Sequence, residues 1–412
     1  MSDEAELNWI GQSVPRVEDE RLLRGEGRFV DDLDLPGGAE IAFVRSPHAH
    51  AKITALDFTA ALELPGVLKI YGGADVVQRI KPLVNSEELR VPPGIADLDP
   101  VVKIQPAPIL AVDEVNYVGQ PIAMVVAESR YLAEDAIELI DLDFEVLPAI
   151  LDPEEALEPD SPLALLSEED NIGVHVKHGT GDADAAAAAA FAVVEETFCT
   201  QRYVCAPIET RAMAARQDPF SDALMIWSTT QTPHRVRDHV AESLGLPVDE
   251  VRVQAVDVGG GFGQKGILVV EELLIPFAAF DLGQPVRWVA DRHENLTADA
   301  HAREQIHRIT LAANEDGRIV AVKDRIIVNL GCRNMVGLVV PYNAMCHLVG
   351  PYQIPNIDLE ATGVLTNTTF TSPYRGAGRP EATFAMERAI DRLARRLDLE
   401  PAELRRRNLI QP

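Results

Sequence analysis

Cysteine is scarce. Of 412 residues only Cys199, Cys205, Cys332 and Cys346 carry a thiol, and their spacing matches neither a zinc site nor the clustered thiolates of an iron–sulfur centre. Buried free thiols are the expectation for all four, the common fate of cysteine in a reducing compartment. Positive charge is short as well: 37 Lys and Arg stand against 65 Asp and Glu, a net charge of -28. Nucleic acid and anionic membrane both need a basic face, so neither is expected as a partner. No apolar run reaches the length of a membrane span; the longest, near Leu268 to Phe280, is broken by Glu271, Glu272 and Pro276. The start, Met1 to Trp9, is acidic and lacks both the basic and the apolar region of an export signal, so the cytoplasm is the expected location.

What is present suffices for two or three domains, with 47% hydrophobic residues to build their cores. Residues 1–20 read as an N-terminal arm. From 21 to 150 the pattern is α+β: Ile41 to Val44 and Ile122 to Val126 read as strands, and Ser129 is placed to cap a helix carrying Leu132, Ala133 and Ala136 on one face. His48 and His50 have no evident third ligand nearby and read as structural histidines. Residues 151–170, rich in Pro, Glu and Asp, read as a linker. The remainder, 171–412, carries the chemistry.

That second region is organised around Gly259-Gly260-Gly261-Phe262-Gly263-Gln264-Lys265-Gly266, set between a strand-like run at Val251 to Ala255 and a mostly buried helix through Leu268 to Ala278. Five glycines in eight residues bring backbone N–H groups close to a ligand, and a helix N-terminus directly behind them would favour an anionic one. A mononucleotide P-loop is excluded, because Lys265 follows Gln264 and no Ser or Thr comes next. A dinucleotide fingerprint remains open: Gly261-x-Gly263-x-x-Gly266 has its spacing, and Asp281 and Asp291 lie near the distance of a ribose-binding acid. A structural tight turn remains open too.

Two further stretches bear on that choice. Leu224 to Ser228 reads as a strand that hands over, through Thr229-Thr230-Gln231-Thr232-Pro233, to a helix ended by Gly245 and Pro247, so Gln231 either caps the helix or faces a ligand. Tyr374-Arg375-Gly376-Ala377-Gly378-Arg379-Pro380 forms a second glycine-rich loop before a long amphipathic helix, now with arginines in it. Two such loops can cradle two ends of one extended anion.

Taken together, Gln231, Gly260-Gly261-Phe262-Gly263, Pro351-Tyr352-x-Ile354-Pro355-Asn356 and Tyr374-Arg375-Gly376-x-Gly378 resemble the xanthine dehydrogenase/aldehyde oxidase family, in its molybdopterin-binding large subunit. Gly25 to Asp32 and Arg45 to Ala51 resemble that family's α/β hammerhead domain. The resemblance implies an α/β hammerhead domain followed by the first molybdopterin-binding domain. It also implies molybdenum held by a molybdopterin with a phosphate or nucleotide tail, the cytosine dinucleotide being one form. On the matching positions, Gln231 faces a molybdenum oxygen ligand, the Phe262 N–H points at the same centre, Arg375 lines it, and Gly260, Gly261, Gly263 and Gly376 shape the loops around it. The implied reaction is oxidative hydroxylation of an aldehyde or N-heterocycle with water, two electrons leaving for iron–sulfur and FAD subunits.

Departures narrow this. Gly266, Asn343 and Ala377 stand where purine-oxidising members resemble one another in having Glu, Arg and Phe, so purine oxidation is not expected. Gly376 stands where carbon monoxide dehydrogenases have a copper-binding Cys; the loop is similar to the carbon monoxide dehydrogenase-like form II subunits. Such subunits run to nearly twice this length. The expectation is an N-terminal half, with the general-base Glu and the rest of the cofactor site on a second polypeptide. A non-catalytic scaffold of the same fold is the alternative.

Overall fold

The computed structural model describes residues 9–84, 97–221 and 223–411. Of the expected arm, residues 1–8 lie outside the described residues, and 9–18 are largely exposed.

A seven-stranded mixed sheet runs through the centre, in the spatial order Val251–Ala255, Leu224–Ser228, Ala212–Gln217, Val286–Val289, Ala39–Arg45, Pro121–Ala127, Val67–Gly72. Pro121–Ala127 is buried along its whole length, as an apolar run without alternation requires. The sheet joins strands from both sides of residues 151–170: Ala39 and Glu40 pair in parallel with Val286 and Arg287. Residues 151–170 themselves place Ala156, Ala164 and Leu165 in the core. A three-stranded sheet of Glu114–Val115, Ala51–Asp57 and Asp141–Val146 completes the N-terminal part.

The second large sheet has six strands, ordered Val101–Val102, Ile172–Thr180, Asn356–Leu365, Ile319–Gly331, His301–Ala313, Ala192–Val204. The helix Arg379–Arg396 packs on its last two strands, burying Ala385, Ala389, Ile390 and Leu393.

Local signals translate directly. Ser129 Oγ accepts from the Leu132 N–H at 3.3 Å to start the helix Arg130–Ile137. The helix Pro233–Leu244 ends at Gly245, whose φ of +67° suits a residue without Cβ. His50 is buried between the Pro148 carbonyl at 2.8 Å and Glu114 at 2.9 Å, a structural role.

Three expectations are corrected. The dinucleotide reading of Gly261–Gly266 requires a continuous parallel sheet with this loop at its switch point. Val251–Ala255 is instead an edge strand, parallel to Leu224–Ser228, whose other neighbour is antiparallel. Asp281 is taken by Tyr71 and Arg79, and Asp291 caps the helix Arg292–Thr297. Next, no helix begins directly behind the glycines. Gln264–Gly266 is one 3-10 turn, and the helix Glu271–Leu282 starts later, because its first turn holds buried Glu271 and Glu272 against arginines and the Val269 N–H. Finally, only Cys205 and Cys332 are buried, and burial pushes both thiols up to about 11. Cys199 is exposed because it lies on the open face of the edge strand Ala192–Val204, and Cys346 because it sits near the end of the helix Val339–His347.

Candidate functional site

The glycine run is folded back on itself by three positive-φ residues: Gly260 at +103°, Phe262 at +56° and Gly263 at +105°. Lack of a side chain is required twice over. A Cβ on Gly261 would stand 2.5 Å from Gln231 Oε1, and one on Gly263 would overlap the Pro373 carbonyl. These near-contacts locate the neighbours: Gln231 lies on one side of the loop and the second glycine-rich segment on the other.

Hydrogen bonds close the junction. The Gly263 N–H donates to Gln231 Oε1 at 2.8 Å, and the Gln231 N–H donates to the Lys265 carbonyl at 2.9 Å. The Arg375 N–H donates to the Phe262 carbonyl at 2.8 Å. Gln231, Phe262 and Arg375 thus stand on elements bonded directly to one another, and all three side chains are exposed. Gln231 does not cap its helix; Thr232 holds the N-cap position. Gly376, with φ of +106°, and Gly378, with φ of +89°, turn the second loop into the N-terminus of the helix Arg379–Arg396.

The donors left over decide what the junction can hold. Among the described residues the N–H groups of Gly260, Gly261 and Phe262, the Gln231 Nε2 and the Arg375 guanidinium have no protein acceptor. Among them the Arg375 guanidinium carries a positive charge and the rest are neutral. A rigid set of neutral and cationic donors fits an anionic, oxygen-rich group.

Beneath the loop lie charges that the sequence reading passed over. Lys265 is fully buried and pairs at 2.9 Å with Glu209, which also accepts from the Gly259 N–H at 2.7 Å. Burial pulls the Lys265 ammonium below its usual range, although Glu209 opposes the shift. Arg211, also buried, donates to the carbonyls of Gln264 and Ile267 and is balanced by Asp299 at 2.9 Å and Glu272 at 3.3 Å. Burial works against the Arg211 charge, but the two carboxylates outweigh it and raise its pKa. A signal existed: Glu271 and Glu272 in an otherwise apolar helix demand cationic partners. The motif Pro351 to Asn356, in contrast, belongs to the frame. Tyr352 donates to Glu387 at 2.7 Å, and Asn356 binds the Val320 carbonyl and the Asp182 N–H.

The hammerhead-like opening reaches the same place. Asp257, two residues before the glycines, accepts from Arg21 at 2.5 and 2.6 Å and from the Arg28 N–H at 2.7 Å. The Arg21 hydrogen bonds, then the Arg28 N–H, hold its carboxyl down to about 2. A depressed carboxylate contributes its full stability above its ordinary value and loses it as pH falls towards the folded one. The urea midpoint is therefore expected to drop between about pH 4 and pH 2, and Asp257→Asn to flatten that part of the profile. A second expectation concerns Gly261→Ala, which should displace Gln231 from the Gly263 N–H and cost about 1 kcal/mol. In a Gln231→Ala background most of that cost should vanish, a coupling that urea unfolding of the four variants reads.

Comparison with known proteins places this geometry. Residues 166–409 match the model of the molybdopterin cofactor-binding domain, and residues 24–148 that of the aldehyde oxidase and xanthine dehydrogenase a/b hammerhead domain. The chain belongs to the xanthine dehydrogenase/aldehyde oxidase family. Within it, the chain is 40% identical over 404 residues to the 6-hydroxypseudooxynicotine dehydrogenase complex subunit gamma of Paenarthrobacter nicotinovorans, covering 98% of this chain and 50% of that one. The solved quinoline 2-oxidoreductase of Pseudomonas putida 86 superposes with a TM-score of 0.92 at 37% identity, covering 98% of this chain and 50% of that one. The chain thus spans about half the length of these relatives. The nicotinate dehydrogenase large molybdopterin subunit of Eubacterium barkeri, 30% identical over 398 residues, differs: 96% of this chain covers 88% of it. The fold is accordingly α+β, a hammerhead domain followed by a molybdopterin-binding domain of the family. Among the described residues no helix is long and apolar enough to cross a membrane.

Proposed function

We propose that this chain is the half of a molybdenum hydroxylase that presents Gln231, Phe262 and Arg375 to a molybdopterin cofactor, the cytosine dinucleotide form included. A second polypeptide supplies the facing half of the cleft and the general-base glutamate, and iron–sulfur and FAD subunits accept the electrons in the cytoplasm. The single observation that carries the reading is the junction of two loops whose spare backbone N–H groups, Gln231 amide and Arg375 guanidinium gather on the side where Gln231, Phe262 and Arg375 are exposed. That the Eubacterium barkeri subunit is of comparable length supports a separate second chain.

The molybdenum cofactor, when bound, supplies two-electron oxidation of a carbon–hydrogen bond with water as the oxygen source. This chain's residues hold and polarise. Gln231, fixed through Oε1 accepting from the Gly263 N–H, keeps both Nε2 hydrogens as neutral donors. Arg375 adds a permanent positive charge, and the glycine backbone adds N–H groups that need no reorganisation.

For the substrate, an N-heterocycle is favoured over an aldehyde. A Cβ at Gly266 would stand 3.9 Å from Gln231 Nε2, Ala377 sits in the second loop and Asn343 lies beside Gly378, so small or neutral residues stand at these three positions of the junction. Such a border admits a flat ring without demanding a charged or purine-like edge, and the relatives named for quinoline and nicotinate point the same way. The test is to purify the chain alone and with its candidate second half, then measure molybdenum by mass spectrometry and screen quinoline, nicotinate and benzaldehyde with an artificial electron acceptor. Stoichiometric metal should require both chains. Stoichiometric metal on the lone chain would overturn the split site, and none on the pair would overturn the reading altogether.

A further inference from the structure

Arg303 and Glu304 both carry positive φ, +69° and +53°, a region that side chains other than glycine rarely enter. The strand around them is not slipped: Arg303 stands opposite Arg202 and Gln305 opposite Thr200, in one register with the pairs beyond. What changes is the direction of two side chains. Strained backbone of this kind persists only where surrounding contacts over-determine it, and those contacts lead to the second loop. Arg303 Nη2 donates to the Arg375 carbonyl at 3.0 Å, Nη1 donates to Glu381 at 2.9 Å, and the guanidinium lies 4.9 Å from the centre of the Tyr374 ring. Glu304 pairs with Arg202, which donates in turn to the Thr369 carbonyl at 2.8 Å and Thr368 Oγ1 at 2.7 Å. One strained dipeptide braces both ends of the segment from Thr368 to Glu381.

Backbone bonds from His301 to Phe370 and Ser372, and from Arg375 to Phe262, also hold this segment, but the Arg375 carbonyl is held by Arg303. An open cleft of about 430 Å³ lies behind the loop, walled by Tyr203, Arg303, Tyr374, Glu381 and Phe384. With a hollow where packing would otherwise resist motion, the hydrogen bonds of Arg303 act together with the Arg375 N–H bond to Phe262 in setting where the Arg375 backbone sits. We propose that Arg303 is a positioning residue for the Arg375 loop: by gripping the Arg375 carbonyl and Glu381 together, it fixes the direction in which the Arg375 guanidinium leaves the chain. The consequence for catalysis rests on the molybdopterin reading; the consequence for loop geometry does not.

Two variants separate positioning from simple neutralisation of Glu381, whose side chain is 2% exposed. Arg303→Gln alone leaves that carboxylate unpaired. Arg303→Gln with Glu381→Gln removes both charges and still leaves the Arg375 carbonyl untethered. In the full chain, hydrogen exchange of the 373–379 segment in the double variant should quicken about tenfold while residues 319–331 keep wild-type protection. In the complex with its second half, kcat should fall about tenfold or more at unchanged KM and unchanged molybdenum content, with an altered Mo(V) paramagnetic resonance signal. Wild-type exchange over 373–379 in the double variant overturns the proposal outright. Faster exchange with an unaltered signal and kcat in a molybdenum-loaded complex overturns its functional part. A wild-type complex without molybdenum would instead count against the function proposed above, and the exchange result still decides the role of Arg303.

Discussion

Truncation of Arg211 to alanine is expected to destabilise the chain by about 3–5 kcal/mol, because it strands two buried carboxylates in one step. Glu272 and Asp299 are 4% and 7% exposed and both pair with this guanidinium. Burial already pushes the Glu272 carboxyl up, with Arg211 pulling it down, so removal of the cation leaves the burial penalty unopposed. The same guanidinium holds the Gln264 and Ile267 carbonyls, so the backbone behind the glycine loop loosens as well. Urea unfolding measures the loss. Arg211→Met combined with Glu272→Gln and Asp299→Asn should recover much of it, since no net charge then remains buried. Equal instability of the single and triple variants would show that the arginine acts through packing rather than charge.

Gly263→Ala is the second large effect, and it should strike the junction itself. A Cβ there would overlap the Pro373 carbonyl, and the position has φ of +105°. The left-handed φ costs about 1–2 kcal/mol and the forced overlap about 1–3 kcal/mol more, most of which the protein can avoid only by parting the two loops. Parting them breaks the Arg375 N–H to Phe262 carbonyl bond, so molybdenum retention by the assembled complex should fall well beyond what the stability loss explains. Gly266→Ala is the control. Nothing but Gln231 Nε2 at 3.9 Å and Cδ at 4.0 Å lies near its Cβ position, and ordinary van der Waals contact leaves stability within about 0.5 kcal/mol of wild type.

How far the sequence could be read followed the range of the interactions involved. Strand, turn and cap positions depend on neighbours within a few residues, so Leu224–Ser228, Val251–Ala255 and the Gly245 helix end were all legible. The glycine-rich loops announce themselves locally as close backbone approaches, whereas the roles of Gln231, Phe262 and Arg375 came from the family resemblance and not from local pattern. The position of the helix behind the glycines was not legible. Ile267–Val270 is apolar enough to pass for its first turn, and only the burial of Glu271 and Glu272 against Arg45 and Arg211 sets where it begins.

Glu271 and Glu272 called for cationic partners, but which residues they would be, and the roles of Glu209, Lys265 and Arg303, were out of reach, because a lone charge in a sequence reads as solvated surface. Each acquires its role from a partner far along the chain, such as Asp299 for Arg211 or Glu381 for Arg303. Taken alone, then, the sequence settled the strands, the helix ends and the glycine-rich turns of the two loops, since these follow from residues close together in the chain. Tertiary structure alone decided that Gly263 meets Pro373 and that charged side chains lie beneath the loops, because sheet pairing brings those segments together and no local pattern encodes which distant strand will be the neighbour.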